Sequence, residues 1–419
     1  MAETGSVRAR LAILELMRNG WLPVAFFAAA GVLWPAAGEF SARRDALRGT
    51  LKDGAVVLFG RTAGEVNDDR TGFPQQADFY YLSGWREPGA VLLLAPDADI
   101  LFLPVPDPQR EKYAGKMLNP ADPAAPAATG FATVLPADRL EAELARLPES
   151  LGRIYTVGAA ATERLRKLQQ RRETASAATA IAHLRMVKSP AELDLIRRAA
   201  EATMAAHRAA WKRAAPGLYE YQVAATMVAA YQDLGCERSA YAPIVGSGPN
   251  ALILHYWRNS RRMDRGELLL MDVGAECAGY AADITRTIPV GARFTRRQRE
   301  IYEVVLGAEK AALAAVKPGV TIPELSKAAR AYMDAHGGMG KYLIHGVSHH
   351  IGLEVHDAAD LSVPLAENMV ISMEPGIYIP EESIGIRIED MVLVTKDGAR
   401  LITADLPREV EQIERAIRK

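Results

Sequence analysis

The chain is poor in cysteine and almost neutral in net charge, and both features exclude classes of protein. Its 419 residues include only two cysteines, so a disulfide framework cannot replace an apolar core. Cys236 and Cys277 also lie too far apart for a C-x-x-C zinc motif. With 50 basic and 51 acidic residues, the net charge of -1 gives no overall attraction to nucleic acid.

The remaining composition is that of an ordinary globular protein. Apolar residues make up 49% and charged residues 24% of the chain, which excludes general disorder. The length suggests two or three domains. We expect an apolar core, rather than disulfide bonds, to stabilise them.

One uncharged run, residues 21–37, stands apart from this composition. With Arg18 before it and small residues after it, the run predicts a secretory signal over 1–38, with Met17 as the working start. A membrane anchor is one alternative, although the run is at the short end of the spanning range. A buried helix is another, against which two prolines within the run argue. We therefore expect export to the periplasm or the medium, with a cytoplasmic or membrane-anchored protein as alternatives.

Residues 39–182 have the pattern of an α/β domain. Short apolar runs bounded by turn residues predict buried strands. These runs are 55–59, 90–95, 100–104 and 153–158. Residues 121–130 are rich in small residues and predict a loop. The domain shows no cluster of histidines or paired acids, so we expect its role to be non-catalytic.

Residues 183–419 predict a second domain with a repeated order of elements. Capping boxes at 189–192 and 321–324 open two helices. Pro-Gly pairs at 216–217 and 318–319 end the helix that follows the first box and the helix that precedes the second. Strands follow each pair of helices, and we predict them at 242–246, 267–273, 280–290, 370–374 and 386–394. The order favours an internal duplication over chance similarity.

Two aspartates occur in the predicted hairpin over residues 267–290. A turn centred between Cys277 and Ala278 would place Asp272 directly opposite Asp283. Facing carboxylates repel each other, and burial costs several kcal/mol per charge. A cation between them would remove that cost. A longer loop, which would leave both aspartates solvated on opposite faces, is the alternative.

Histidines are concentrated in one short segment of the chain. Four of the eight fall there, namely His345, His349, His350 and His356. Such a cluster predicts a site rather than four isolated core histidines. Neighbours in extended chain point in opposite directions, so His349 and His350 cannot both face that site.

Two further acids stand at the ends of predicted strands. Glu374 shares a strand face with Ser372, and Glu389 shares one with Arg387. Each strand could therefore direct one glutamate inward. Taken separately, either glutamate could equally lie at the surface.

These segments together resemble the pita-bread metallopeptidases, and most of all the aminopeptidase P family, with prolidase as near kin. The similar segments are VGSGPNALILHY, LLLMDVGAECAGYAADITRTIPV, HGVSHHIGLEVHD, EPGIY and GIRIED, and ADFYYLSGWREPGAVLLL in the first domain. The resemblance covers about residues 39–415. It implies an α/β (α+β) protein with an N-terminal α/β domain and a pita-bread (creatinase/aminopeptidase-like) catalytic domain with pseudo-two-fold duplication.

The resemblance also implies a role for each site residue. A two-metal site would be formed by Asp272, Asp283, His349, Glu374 and Glu389. Substrate and the tetrahedral intermediate would be contacted by His255 and His356, with Glu374 as the proton shuttle. The site would be lined or supported by His345, Tyr378 and Arg387. His350 matches no functional position.

The donor set indicates the metal, and the resemblance indicates the reaction. Four carboxylates and one imidazole favour two divalent ions such as Mn²⁺, with Co²⁺, Zn²⁺ or Fe²⁺ as alternatives. Two such ions can share a hydroxide that attacks the carbonyl of the first residue. The resemblance implies cleavage between an N-terminal residue and a penultimate proline, in a homo-oligomer (dimer or tetramer). The balanced charge predicts no nucleic-acid partner. An Xaa-Pro dipeptidase, a metal-free binding module and a metal-free creatinase-type hydrolase are the alternatives.

Overall fold

The computed structural model describes residues 37–66, 72–291 and 293–418. The predicted signal segment lies almost entirely outside these residues. Among the helices that are described, none combines the length and apolar character needed to cross a membrane. The boundary predicted at residues 182–183 falls inside a helix, Ala178–Met186, and stays a prediction.

The N-terminal part is built on one six-stranded sheet. Its strands are β1 (Gly54–Phe59), β2 (Val91–Leu94), β3 (Asp99–Leu103), β4 (Thr133–Pro136), β5 (Arg153–Thr156) and β6 (Glu173–Ser176). The order across the sheet is β4-β3-β2-β1-β5-β6. The pairs β1–β2 and β2–β3 are antiparallel, and the other three pairs are parallel. All four strands predicted here are confirmed to within one or two residues.

Helices accompany this sheet, and two of them complete its apolar core. They are α1 (Ala37–Thr50), α2 (Ala77–Ser83), α3 (Pro108–Ala114), α4 (Ala125–Thr129), α5 (Leu140–Arg146), α6 (Ala159–Leu168) and α7 (Ala178–Met186). Leu144 of α5 and Leu165 of α6 join Val57, Leu93 and Phe102 of the strands in one buried cluster. Such burial contributes roughly 1.5–3 kcal/mol for each large aliphatic side chain.

The loop predicted over residues 121–130 is wrong, because α4 lies within it. Pro126 stands in the first turn of the helix, and Gly130 closes the helix in the left-handed conformation with φ 72°. Proline near the start and glycine just past the end are helix signals. In so short a segment they outweigh the absence of an apolar periodicity.

Two pairs of helices frame the C-terminal part. They are α8 (Pro190–Arg213), α9 (Glu220–Gln232), α10 (Arg296–Ala315) and α11 (Ile322–Ala335), and a last helix, α12 (Val410–Ala416), follows near the end of the chain. Ser189 accepts a hydrogen bond from the Glu192 amide, and the Glu192 carboxylate accepts one from the Ser189 amide. Thr321 and Glu324 form the second capping box. Both predicted helix starts are therefore confirmed.

Each helix pair is followed by a set of short antiparallel strands. The strands are β7 (Arg238–Ser239), β8 (Ile244–Ser247), β9 (Leu268–Val273), β10 (Ala275–Cys277), β11 (Tyr280–Ala281), β12 (Ile284–Pro289), β13 (Val370–Met373), β14 (Gly376–Ile379), β15 (Ile384–Arg387), β16 (Asp390–Thr395) and β17 (Gly398–Leu401). They form the sheets β12-β9-β8 and β13-β16-β17, together with β11-β10-β7 and the pair β14-β15. The repeated order agrees with the predicted arrangement in two similar halves.

Two of the strands predicted as continuous are interrupted in the structure. The strand predicted over 280–290 breaks before Ile284, and the strand predicted over 386–394 breaks after Arg387. At the second break the Glu389 amide donates to the Thr285 carbonyl, 3.0 Å away, rather than to a strand of its own sheet. A carboxylate, Asp283 or Glu389, lies at each break.

A disulfide bond joins Cys236 to Cys277, with their Cα atoms 4.3 Å apart. This finding corrects the expectation that disulfide bonds play no part in stabilising the chain. The pairing of β7 with β10 brings the two cysteines together although 41 positions separate them. Distance along the sequence excluded a zinc motif, but it could not exclude a pairing produced by the fold.

Candidate active site

The first two acids of the site are carried by the hairpin of β9 and β12. Asp272 pairs with Thr285, not with Asp283 as the assumed turn predicted. The turn is formed by Ala278 and Gly279, with φ of 53° and 86°, because successive left-handed residues suit a two-residue hairpin. Moving the turn by one residue shifts the pairing of the two strands by two residues, from Asp283 to Thr285. Asp272 and Asp283 therefore remain on one face, as diagonal rather than direct neighbours.

Tyr241 links these two aspartates, a contact that the sequence analysis did not predict. Its hydroxyl lies 2.5 Å from a carboxylate oxygen of Asp272 and 2.5 Å from one of Asp283. Arg387 also donates to Asp272. Burial raises the pKa of Asp272 to about 6, in spite of that guanidinium. The two carboxylates thus share one hydroxyl proton, and the guanidinium contacts Asp272.

His349 lies between two of the acids. Its Nδ1 lies 3.1 Å from the His350 carbonyl oxygen, and its Nε2 lies 3.4 Å from both Asp283 Oδ2 and Glu374 Oε1. Donation from Nδ1 to that carbonyl leaves Nε2 as the nitrogen directed at the acids, where a metal ion would replace its proton. Burial lowers the pKa of His349, but Asp283 and Glu374 more than offset it and raise the value to about 9.

Glu374 and Glu389 are each fixed by contacts to a neighbouring segment. The Glu374 amide donates to the Val347 carbonyl at 2.9 Å, and burial raises the pKa of its carboxyl to about 7. Glu389 Oε2 accepts from the Thr285 hydroxyl at 2.8 Å. Glu389 Oε1 is buried and has no hydrogen-bond partner among the residues the structure describes. Burial, and then the charge of Asp283, raises the pKa of Glu389 well above its usual value.

This donor set fits divalent metal ions. One ligand atom from each of Asp283, His349 and Glu389 lies within 4.8 Å of the other two. The pKa values of Asp272, Glu374 and Glu389 are raised because burial disfavours their charged forms, and bound cations would stabilise those forms. The unpaired oxygen of Glu389 is an available ligand atom. Asp272 and Glu374 line the same cavity. The structure thus brings all five predicted ligands together.

A chain of hydrogen bonds fixes the tautomer of His345 beside the acids. Arg387 donates to the Tyr378 hydroxyl at 2.8 Å, and that hydroxyl lies 2.9 Å from His345 Nε2. His345 Nδ1 lies 2.6 Å from the Gly346 carbonyl oxygen. Burial lowers the pKa of His345 to about 4, so the ring is neutral, accepting at Nε2 and donating at Nδ1. Arg387, Tyr378 and His345 therefore form one chain of hydrogen bonds that ends on Asp272.

The remaining predicted histidines border the same cavity, which measures about 640 Å³. His255 and His356 both line it, and the His356 ring packs edge-on against His349 with 4.3 Å between centroids. His350 does not line it. It forms an isolated bridge with Ile371, and burial lowers its pKa to about 4. That position agrees with the expectation that His350 points away from His349.

Three lining or supporting residues were not found from the sequence. Tyr241 and Thr285 contact the acids through hydroxyl groups, and Trp257 lies at the cavity with 67% of its surface exposed. Tyr241 and Thr285 contact acids that lie on other segments of the chain, so spacing along the sequence could not reveal these contacts. Trp257, two residues after His255, was a detectable neighbour of a predicted site residue.

The fold and this cluster of acids and histidines define a metallopeptidase. The chain matches the model of metallopeptidase family M24 over residues 194–396 and that of the aminopeptidase P N-terminal domain over residues 40–155. The chain belongs to the aminopeptidase P family within M24. Both the resemblance and the fold class predicted from the sequence are thereby confirmed.

The relatives that support this assignment match most of the chain, and two of the three below match nearly all of it. It is 34% identical to the Xaa-Pro aminopeptidase of Escherichia coli (strain K12), over 90% of this chain and 96% of that protein. An Xaa-Pro dipeptidase of Pyrococcus furiosus is 38% identical over 62% of this chain and 75% of its own. The solved structure of aminopeptidase P from E. coli with the inhibitor Pro-Leu matches with a TM-score of 0.82 and 31% identity, covering 92% of this chain and 99% of that one.

Proposed function

We propose that this protein is a metal-dependent Xaa-Pro aminopeptidase, which hydrolyses the bond between an N-terminal residue and a penultimate proline. The observation that carries the proposal is the convergence of four carboxylates and one imidazole on one cavity, in a chain of the aminopeptidase P family. The metal-free alternatives, a binding module or a creatinase-type hydrolase, would have no use for such a set. Each of the five ligand positions holds a carboxylate or an imidazole that can bind a metal ion.

We assign two divalent ions to Asp272, Asp283, His349, Glu374 and Glu389, with Mn²⁺ as the first candidate. Carboxylate-rich sites suit hard divalent ions and disfavour ions that prefer thiolates. When bound, such ions polarise the scissile carbonyl and lower the pKa of water toward neutrality. Co²⁺, Zn²⁺ and Fe²⁺ are the alternatives that the metal experiment below distinguishes.

The chain's own residues would handle protons and developing charge. Glu374, with a pKa raised to about 7, is suited to carry a proton from the attacking water to the leaving nitrogen. His356 and His255 line the cavity and can donate hydrogen bonds to the tetrahedral oxygen. Removal of one such donor typically costs on the order of 100-fold in rate.

Recognition of proline must depend on shape, because proline has no amide hydrogen to donate. The lining of the cavity includes four largely apolar side chains, Ile244, Leu254, Trp257 and Val355. Apolar side chains of this kind are suited to contact a ring without polar atoms. The preference for proline itself comes from the similarity to Xaa-Pro peptidases. An Xaa-Pro dipeptidase is the second candidate function, because the chain is also similar to the Xaa-Pro dipeptidase of Pyrococcus furiosus.

Export is our proposal for the location of the protein. The uncharged run at residues 21–37 and the Cys236–Cys277 disulfide both support it, since disulfides form and persist in oxidising compartments. Homo-oligomerisation, as a dimer or tetramer, is likewise proposed from the family resemblance. Light scattering of the purified protein would measure its oligomeric state.

The test is to strip the enzyme of metal and restore single divalent ions. Activity is then measured on an Xaa-Pro dipeptide, an Xaa-Pro-Yaa tripeptide and a longer Xaa-Pro peptide. Release of the first residue from the tripeptide and the longer peptide, and only after metal is restored, is the expected result. Cleavage of the dipeptide alone would establish the dipeptidase. Equal cleavage by the stripped protein would refute the metallopeptidase assignment.

A further inference from the structure

The segment of residues 351–357, here called the His356 loop, is held in place by Asp357, the residue after His356. The Asp357 amide donates to the His350 carbonyl at 2.9 Å, and the Glu354 amide donates to Asp357 Oδ1 at 3.3 Å. A Cβ on Gly352 would lie 2.2 Å from Asp357 Oδ2, so only glycine leaves room for this carboxylate. The conformation of the loop therefore depends on where the Asp357 side chain sits.

Two cations from outside the loop fix that carboxylate. Arg185 Nη2 lies 2.5 Å from Asp357 Oδ1, and Lys188 Nζ lies 3.2 Å from Asp357 Oδ2. All three side chains are almost completely buried. Burial raises the pKa of Asp357, but the two cations outweigh that effect, so that the pKa is lowered and the carboxylate is ionised.

Arg185 lies near the end of α7 and also contacts α2, another helix of the N-terminal part. Its Nη1 donates to Asp78 Oδ1 at 2.6 Å, while its Nη2 donates to Glu354 Oε2 at 2.9 Å. Asp78 belongs to α2, in the segment ADFYYLSGWREPG, which has no other role in the proposed chemistry. The guanidinium of Arg185, which is 2% exposed, thus connects Asp78 on α2 to Asp357, the residue beside His356.

We infer that Arg185 is a positioning residue that fixes the His356 loop through Asp357, and that Asp78 extends this control to the N-terminal domain. The inference rests on the proposed function only for the role of His356 in catalysis. A buried ion pair contributes little net stability compared with apolar packing, but it penalises every arrangement in which one partner is left alone. The network therefore specifies one conformation of the loop.

The test is a double-mutant cycle between Arg185 and His356, because such a cycle isolates the coupling between two residues. Arg185→Met should lower kcat on an Xaa-Pro-Yaa peptide by about 10- to 100-fold, the cost of a small misplacement of a catalytic group. KM and metal content should change little. In the His356→Ala background, Arg185→Met should cause almost no further loss. Asp78→Asn, which keeps Arg185, should give a smaller loss with the same dependence on His356.

Arg43→Met is the matched control. Arg43 is also buried, and it pairs with Glu39 and Glu192 without touching the His356 loop. This variant should lose stability as Arg185→Met does, but its effect on kcat should not depend on His356. Equal fractional losses from Arg185→Met in the wild-type and His356→Ala backgrounds would overturn the inference.

A measurement without turnover separates this inference from the proposed function. The imidazole NMR signals of His356 should shift in Arg185→Met and Asp78→Asn, and should not shift in Arg43→Met. If they shift as expected in a protein that cleaves no Xaa-Pro peptide, the positioning role stands and the proposed function fails. Unchanged signals in Arg185→Met would refute the positioning role even in an active enzyme.

Discussion

Thr285 and Thr287 provide a sharp test of the metal site, because they are neighbours on β12 with different partners. Both side chains are fully buried. The Thr285 hydroxyl donates to Glu389 Oε2 at 2.8 Å and accepts from Arg387 Nε at 3.2 Å. The Thr287 hydroxyl donates to the Arg387 carbonyl at 2.9 Å and accepts from the Arg387 amide at 3.2 Å. Only Thr285 contacts a proposed metal ligand.

Thr285→Val keeps the shape of the side chain and removes the donor to Glu389. A hydrogen bond to a charged group contributes about 1.5–3 kcal/mol, and the loss of such a support to a ligand typically lowers metal affinity about 10- to 100-fold. The two ranges agree, since about 1.4 kcal/mol corresponds to a factor of ten. We therefore expect a loss of that size in the affinity of Thr285→Val for the restored ion.

Thr287→Val is the control for general destabilisation. It removes two hydrogen bonds to the backbone and should lower the free energy of unfolding by about 1–3 kcal/mol, while metal affinity stays near the wild-type value. Calorimetric titration of the metal-stripped proteins measures the affinities, and urea unfolding measures the stabilities. Equal metal affinity in the two variants would refute the reasoning that Thr285 acts through Glu389.

Three further predictions follow from other parts of the structure. Asp283→Ala should abolish metal loading and peptidase activity while circular dichroism still shows a folded protein; turnover at the parent rate would show that Asp283 is not a ligand. Protein made in an oxidising compartment should react with no thiol reagent after unfolding without reductant, and Cys236→Ser with Cys277→Ser should destabilise it by about 4 kcal/mol, the chain-entropy value for a loop of this length. Two reactive thiols per chain would contradict the disulfide. His207 is fully buried, and burial, followed by the charge of Arg286, lowers its pKa from 6.5 to about 3. The folded protein thus binds fewer protons here than the unfolded chain, so this contribution to stability is complete above pH 6.5 and is lost as the pH falls toward 3. His207→Gln should reduce the acid sensitivity over that window by up to about 5 kcal/mol, and an unchanged pH profile of urea unfolding would contradict the assignment.

Local signals in the sequence predicted the helices well, because those signals act over a few residues. The capping boxes at Ser189 and Thr321 begin helices where predicted, since a side chain three positions away completes each box. The buried strands of the first sheet were predicted for a similar reason. Continuous apolar runs are typical of strands covered on both faces.

Features that depend on exact register or on distant segments were not predictable in the same way. The hairpin turn at Ala278–Gly279 lies one residue beyond the position assumed. The apolar residues on either side could not distinguish these two turn positions. Tyr241 reaches the aspartates from the segment before β8, and Cys236 meets Cys277 through a sheet pairing. These contacts are products of the folded chain rather than of spacing along it.

The five ligand positions could be identified only by combining both kinds of information. Spacing paired Asp272 with Asp283, and strand alternation suggested that Glu374 and Glu389 point inward. The family resemblance joined them to His349. The structure then brings them to one cavity, although Asp283 and Glu389 stand at strand breaks that a period-two pattern does not predict.

The most direct test of the central claim is anomalous diffraction from crystals of the protein loaded with Mn²⁺. We expect two anomalous peaks per chain within coordinating distance of Asp272, Asp283, His349, Glu374 and Glu389. Peaks located elsewhere, or a loaded and active protein with none in this cavity, would contradict the account.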